Sequence, residues 1–418
     1  MKEDHIPHVV ILGGGFGGLY TYYYLSRLLR ETLHVRITLV SEQNYFLFTP
    51  LLHEVATGGL SPSSVVASIR TVLSIGQSDF CKAKVKRISL SAKKVETSAG
   101  EFVYDYLVLA LGSETNFFDT PGASEHAFTL KSLSDAARLK NHILECFETA
   151  AYSRDANRAS LGSVVVIGGG PTGVELAGEL AEFVHYTLLP TYCKERCATP
   201  RVILLDRSDR LLCSLDPRLS NAAEKALSAQ GVEIRLGSNV AEISKEGVLL
   251  KSGEHLAART VVWAAGVKPR TPKLLPATVI DERGRIPVDS LLRVRGYEEV
   301  FALGDLALVT DAHGVRVPDL AQSATKEAYI TAENIAAAIT GAKQKVFTWR
   351  SSGTLVSLGR WRAAGIVGGI FISGPFAWWL WRTVYLFKML TWQKQLKVAV
   401  EWTVNLFSKR DISEISGS

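Results

Sequence analysis

Two glycine clusters hold the residues best able to do chemistry. Gly13-x-Gly15-x-x-Gly18 follows the apolar run Val9-Val10-Ile11-Leu12, and Gly168-x-Gly170-x-x-Gly173 follows Val164-Val165-Val166-Ile167. In such a loop the first glycine permits a tight turn and the second lets backbone approach a pyrophosphate. The third lets helix pack on strand, and the helix N-terminus then faces the phosphates. A carboxylate after the following strand accepts from ribose hydroxyls: Glu42, one residue beyond Ser41, in the first case and Asp206, directly after Arg201–Leu205, in the second. At Asp206 it would accept from a 2′-hydroxyl and repel a 2′-phosphate, which favours NADH over NADPH, with Arg207 and Arg210 near enough to blur the choice. Val300-Phe-Ala-Leu-Gly304-Asp305 ends a third apolar run on a carboxylate placed to face a ligand crevice; the alternative is an N-cap for the next helix.

These residues need parallel sheets to position them. Each β-branched run reads as a buried strand, each glycine cluster leads into a helical pattern (Leu19 to Leu29, Val174 to Val184), and a second strand follows (Val35–Val40, Arg201–Leu205). Tyr106 to Gly112 and Thr260 to Gly266 are matching strands near the end of each unit. The fold class is therefore α/β, with two Rossmann-like dinucleotide-binding domains, the second inserted in the first. Pro and Gly seams at Thr120–Gly122 and Pro269–Pro276 suggest segments 1–120 and 271–340 for the first domain and 121–270 for the second. Residues 341–418 form a C-terminal amphipathic helical membrane-anchoring region.

Composition narrows the partners. Net charge is +6, and residues 360–418 hold 8 Lys and Arg against 3 Asp and Glu. A neutral body with a basic tail suits an anionic membrane surface better than nucleic acid. The five cysteines are too scattered for a disulfide framework, and Cys193 and Cys197 lack the spacing and the histidines of a metal site, so no metal is expected. The N-terminus has no signal-peptide pattern and reads as cytoplasmic.

Two nested units of this kind with a late Ala302-Leu-Gly304-Asp305 resemble the FAD/NAD pyridine-nucleotide oxidoreductase superfamily. The stretch Ser41 to Ser61 holds no Cys, which excludes that superfamily's thiol relay at this position. The chain is more specifically similar to the type II, or alternative, NADH:quinone oxidoreductases. Asn44 to Leu52 resembles their flavin-proximal segment, Gly170 to Glu179 their NADH loop and helix, and Ala321-Gln322-Ser-Ala-Thr-Lys326 their Ala-Gln-x-Ala-x-Gln quinone motif. The resemblance implies FAD and NADH as cofactors and a membrane quinone as acceptor, without proton pumping. It implies a cofactor-binding set of Gly13, Gly14, Gly15, Phe16, Gly17, Gly18, Ser41, Glu42, Pro50, Val85, Gly112, Gly304, Asp305, Ala321 and Gln322, with Gly168, Gly170, Thr172, Gly173, Asp206 and Gly266 toward the nicotinamide nucleotide. Glu175, Gln322 and Lys326 would be catalytic. Glu175 would face nicotinamide and flavin; a carboxylate merely favoured by the helix N-terminus is the alternative. Lys326 stands where the family carries Gln, and Lys only donates. It would stabilise a reduced quinone oxygen or an anionic flavin, mark a different acceptor, or be an exposed helix lysine. A sulfide:quinone oxidoreductase and a redox-sensing NAD/FAD-binding protein are the competing functions.

In the tail, residues 363–381 are uncharged but carry four Gly and a Pro, a poor spanning helix. Strand and turn are expected up to Pro375, then helices over about 376–392 and 396–407. Their aromatics would sit at headgroup level while Arg382, Lys388, Lys394, Lys397, Lys409 and Arg410 snorkel toward anionic lipid, giving a peripheral protein on the cytoplasmic side of a membrane. The same aromatics would serve a homodimer interface.

Overall fold

The apolar runs that precede the glycine clusters form the central strands of two parallel sheets. The computed structural model describes residues 5–30, 35–73, 78–152, 158–192, 200–271, 275 and 279–414. Cys193, Cys197 and part of the Pro269–Pro276 seam lie outside the described residues. The chain divides into two units: residues 1–47, 66–114 and 267–350 form the first, and 48–65, 115–266 and 351–418 the second.

In the first unit a five-stranded parallel sheet runs Val300–Ala302, Tyr106–Leu109, His8–Leu12, Arg36–Ser41, Ser78–Lys82 in spatial order. Central His8–Leu12 pairs Val9 with Ile37 on one side and with Tyr106 on the other. Buried on both faces, such strands need no polar alternation, which is why VVIL reads as an unbroken apolar run. The helix Phe16–Leu28 leaves the glycine turn and packs against Ala321–Thr340. A core containing Val10, Leu12, Leu107, Leu109 and Val300 extends beneath the sheet to Phe347.

In the second unit the order is Val232–Arg235, Val202–Leu205, Val164–Ile167, Thr260–Trp263, again parallel. The helix Pro171–Glu182 opens with Pro at its first position, where a missing amide costs nothing. The C-terminal part of this unit is an antiparallel sheet (Thr354–Ser357, Ala363–Val367, Ile370–Gly374) followed by helices Pro375–Phe387 and Trp392–Phe407. The residues just after its first strand pass close to the nucleotide helix at Gly178, where a Cβ would come within 2.9 Å of Leu358 and Gly359 backbone. Only glycine admits that approach.

Candidate dinucleotide sites and a buried acid cluster

Both glycine loops are built to the same plan. Gly13 and Gly168 take φ of +111° and +115°, a region that favours glycine. A Cβ at Gly18 would sit 1.9 Å from the Gly13 oxygen, and one at Gly173 would sit 1.8 Å from the Gly168 oxygen. At Gly15 and Gly170, by contrast, a Cβ would meet nothing within 4 Å. Each loop therefore offers an open place above a helix N-terminus, and the residues present fit a pyrophosphate.

In the first unit, Gly13 to Gly18, Gly112 and Gly304-Asp305 gather at the C-terminal edge of the sheet. A Cβ on Gly13 would touch the Ala110 oxygen, one on Gly17 would meet Leu303 at 2.7 Å, and Ser113 Oγ donates to Asp305 Oδ2 at 2.5 Å. Asp305 lies in the turn Gly304–Leu306 and caps no helix, since the next long helix begins at Ala321 behind Leu320. Ser41 lies under Gly14, and Phe16 sets its ring 5.0 Å from Phe46. Glu42 is exposed, 3.7 Å from Arg270, which also donates its amide to the Gly112 carbonyl. Val85 opens an outer antiparallel strand opposite Thr97. Gln322 buries its amide nitrogen with no partner among the described residues, an orphan donor of the kind a bound flavin or quinone oxygen would satisfy.

In the second unit, Asp206 accepts from the Gly169 amide at 2.5 Å and from the Ser208 amide at 2.7 Å. A carboxylate has lone pairs left for a ribose after two such bonds. Arg210 is occupied by the Cys213 and Leu215 carbonyls, and Arg207 lies 6.0 Å over the Phe118 ring. Thr172 is exposed on the first helical turn, Phe118 packs against Gly266, and Pro50 sits in the turn Thr49–Leu51.

The nucleotide helix of this unit carries more than the sequence motif announced. Glu175, Glu179 and Glu182 share one face, and Glu175 and Glu179 are buried. Glu175 Oε1 accepts the Ser357 amide at 3.1 Å, and its Oε2 lies 3.9 Å from His53 Nδ1. Burial pushes the Glu175 carboxyl up to about 8; the Ser357 amide opposes this, and Glu179 and Glu54 add to it. Burial likewise lowers His53 to about 3, with Arg410 contributing, so its imidazole is neutral. Glu54 accepts from Trp402 Nε1 at 2.6 Å and is pushed up to about 7 by burial and by Glu179. Arg410 sets Nη2 2.6 Å from Glu179 and 3.0 Å from Glu182, while its Nη1 donates to Thr57 Oγ1. Arg382 stacks 3.9 Å from the Trp378 ring centroid and 4.8 Å from that of Trp402. Two arginines thus face four glutamates. Burial raises the Glu175, Glu54 and Glu182 carboxyls, because unpaired buried charge is costly.

Sequence reasoning missed His53, Glu54, Glu179, Glu182 and the arginines as one cluster. The steps of four and three residues from Glu175 to Glu179 to Glu182 were the available signal.

Comparison with known proteins gives this arrangement a family. Residues 7–328 match the family description "Pyridine nucleotide-disulphide oxidoreductase", and residues 328–411 match "NDH2 C-terminal domain". The chain is 32% identical over 419 residues to the type II NADH:quinone oxidoreductase Ndh of Mycobacterium tuberculosis, covering 96% of this chain and 88% of that one. It is 32% identical over 382 residues to the Staphylococcus saprophyticus type II NADH:quinone oxidoreductase, covering 90% and 93%. The chain belongs to the type II NADH:quinone oxidoreductase family.

The solved NDH2 of Plasmodium falciparum in complex with NADH shares the fold at TM-score 0.89 and 20% identity, over 98% of this chain and 100% of that one. The sulfide:quinone oxidoreductase of Aquifex aeolicus is a more distant likeness of fold, at TM-score 0.77 and 19% identity over 99% of each chain. The family's C-terminal domain corrects one expectation. Arg382 and Arg410 do not snorkel to lipid; Arg410 packs against Glu179 and Glu182 and Arg382 against two indoles, because the tail folds back over the acid cluster. Lys394 and Lys397 reach Ser63, and Lys409 reaches Thr191. The two helices also expose large apolar side chains: Phe376, Trp379 and Phe387 on one, and Trp392, Leu396, Val400, Val404 and Phe407 on the other. The second set recurs every three to four residues and so forms one helical stripe. Among the described residues no helix is long and apolar enough to cross a membrane. The Lys326 ammonium donates to the Arg350 carbonyl and lies 5.2 Å over the Trp349 ring.

Proposed function

We propose that the chain is an FAD-dependent NADH:quinone oxidoreductase, non-electrogenic, working at a membrane surface. FAD, when bound, supplies the redox chemistry, taking hydride from NADH and passing electrons to quinone. The chain's own residues do the rest. Gly13 to Gly18 and Asp305 hold the FAD diphosphate and ribityl side, with Ser41, Glu42, Val85 and Gly112 around them. Gly168 to Gly173, Thr172, Asp206 and Gly266 hold NADH, and Asp206 selects it over NADPH. Glu175, protonated at neutral pH, is the acid that orients the nicotinamide or donates a proton during reduction. Ala321, Gln322 and Lys326 border the acceptor side, and Pro50 belongs to the flavin-proximal segment. The observation that carries the reading is the pair of equivalent cradles, each open at its second glycine.

The exposed stripe of Trp392, Leu396, Val400, Val404 and Phe407 supports a peripheral attachment lying in the interface plane, with a homodimer as a second use of the same surface; the side of the membrane we propose is the cytoplasmic one. Stopped-flow reduction of the flavin by NADH, NADPH and sulfide tests the function. NADH is expected to reduce fastest, and turnover with a soluble quinone follows. Flavin reduction by sulfide but not by NADH would overturn the reading.

A further inference from the structure

One carboxyl of the first unit lies outside every nucleotide-binding motif yet holds a part of one. Glu327, on the helix Ala321–Thr340, is 2% exposed, and its Oε2 accepts the Gly304 amide at 2.7 Å. Gly304, at φ +68°, begins the turn that carries Asp305. Holding that turn needs only an acceptor, and a Gln amide oxygen would serve without the penalty of a buried acid. The choice of an ionisable group therefore has consequences.

The charges facing Glu327 are mainly acidic. Asp305 is on the turn, and Asp319 precedes the helix. Arg285 and Arg316 lie 2.9 and 3.5 Å from Asp319, and the neighbouring Lys326 gives its ammonium to the Arg350 carbonyl. Among the described residues no cation pairs with Glu327. Burial raises its carboxyl to about 7; the Gly304 amide opposes this, and Asp319 and Asp305 add to it.

We propose that Glu327 is a titratable positioning residue for the flavin, coupling its own protonation to the grip of the Gly304–Asp305 turn on FAD. The proposal rests on the assignment of Asp305 to the FAD site. FAD brings a diphosphate, and added negative charge favours the neutral acid. By linkage, FAD is held more tightly where Glu327 is neutral and more loosely where it is ionised.

The experiment uses the holoprotein. FAD dissociation constants are measured from released FAD fluorescence between pH 5.5 and 8.5, with visible circular dichroism of the bound flavin in parallel. In the wild type the dissociation constant is expected to rise about tenfold through an inflection near pH 7, and the dichroism band titrates with it. In Glu327→Gln both profiles are flat and FAD stays bound. A flat wild-type profile overturns the proposal without any variant, and so does an unchanged inflection in Glu327→Gln. Asp305→Ala separates the two layers. If it loosens FAD while Glu327→Gln still titrates, the site assignment stands and the coupling fails. If it holds FAD as tightly as the wild type, the assignment itself fails and takes the proposal with it.

Discussion

At Gly13 the amide donates to Val40 O at 2.8 Å, and at Gly168 the amide donates to Leu205 O at the same distance. The registers match as well: Leu12 pairs with Val40, and Ile167 with Leu205. The position equivalent to Asp206 is therefore Ser41, and Glu42 falls one residue further on, exposed beside Arg270. Beyond the turns the two units part. The first helix buries Leu19, Tyr22 and Leu25, whereas the second buries Glu175 and Glu179 beneath strand Thr354–Ser357 and Arg410. The cradle is thus a backbone device, indifferent to what covers its helix. That freedom lets one copy carry an ionisable cluster.

The largest effect is expected at the third glycine of each loop. Gly18→Ala and Gly173→Ala each drive a Cβ into a carbonyl oxygen, at a cost of several kcal/mol. The first is expected to lose FAD and the second to lose reduction by NADH, read by flavin absorbance and by stopped flow. A tolerated alanine at either position would deny that cradle its close packing.

Next is the ionic cover, which the first unit lacks. Arg410→Ala leaves Glu179 and Glu182 without their cation, and breaking a buried pair this way costs about 3–5 kcal/mol. Thermal unfolding should show a large drop in Tm, and Arg410→Lys should recover part of it. An unchanged Tm would mean the tail contributes no clamp.

Glu175→Gln sharpens the same point through pH. Its carboxyl is raised in the folded state from about 4.5 to about 8. The stability it contributes is full below the unfolded value and is lost as pH rises through 8, by about 1.4 kcal/mol for each pH interval of one between those two values. Relative to Glu175→Gln, the wild type should lose denaturant stability from pH 4.5 to 8 and hold a constant gap above. A gap that shrinks with rising pH would reverse the sign and refute a protonated Glu175. The smallest effect is expected at Asp206→Ala, where NADH preference over NADPH should fall about tenfold, or 1.4 kcal/mol, in kcat/KM. No change would leave nucleotide choice to other residues.

Much of this was legible in the chain. Val9–Leu12 and Val164–Ile167 announce buried parallel strands because apolar β-branched runs cut by glycines have few other uses, and Asp206 is placed by the strand before it. The quinone-motif residues were legible only through family resemblance. The tail misled: its arginines sit among tryptophans, a pattern that at the level of sequence is shared by a membrane surface and a buried cation–π cluster.

The sequence by itself determined the two turns, their helices and the class of ligand, because steric demands at a glycine and period-two or 3.6 patterns are local properties. Only the tertiary structure decided that Arg410 meets Glu179 more than two hundred residues away, that burial raises the Glu175 carboxyl, and that Glu327 grips Gly304. Burial and charge pairing depend on which distant groups exclude water from a carboxyl, and no spacing along the chain encodes that.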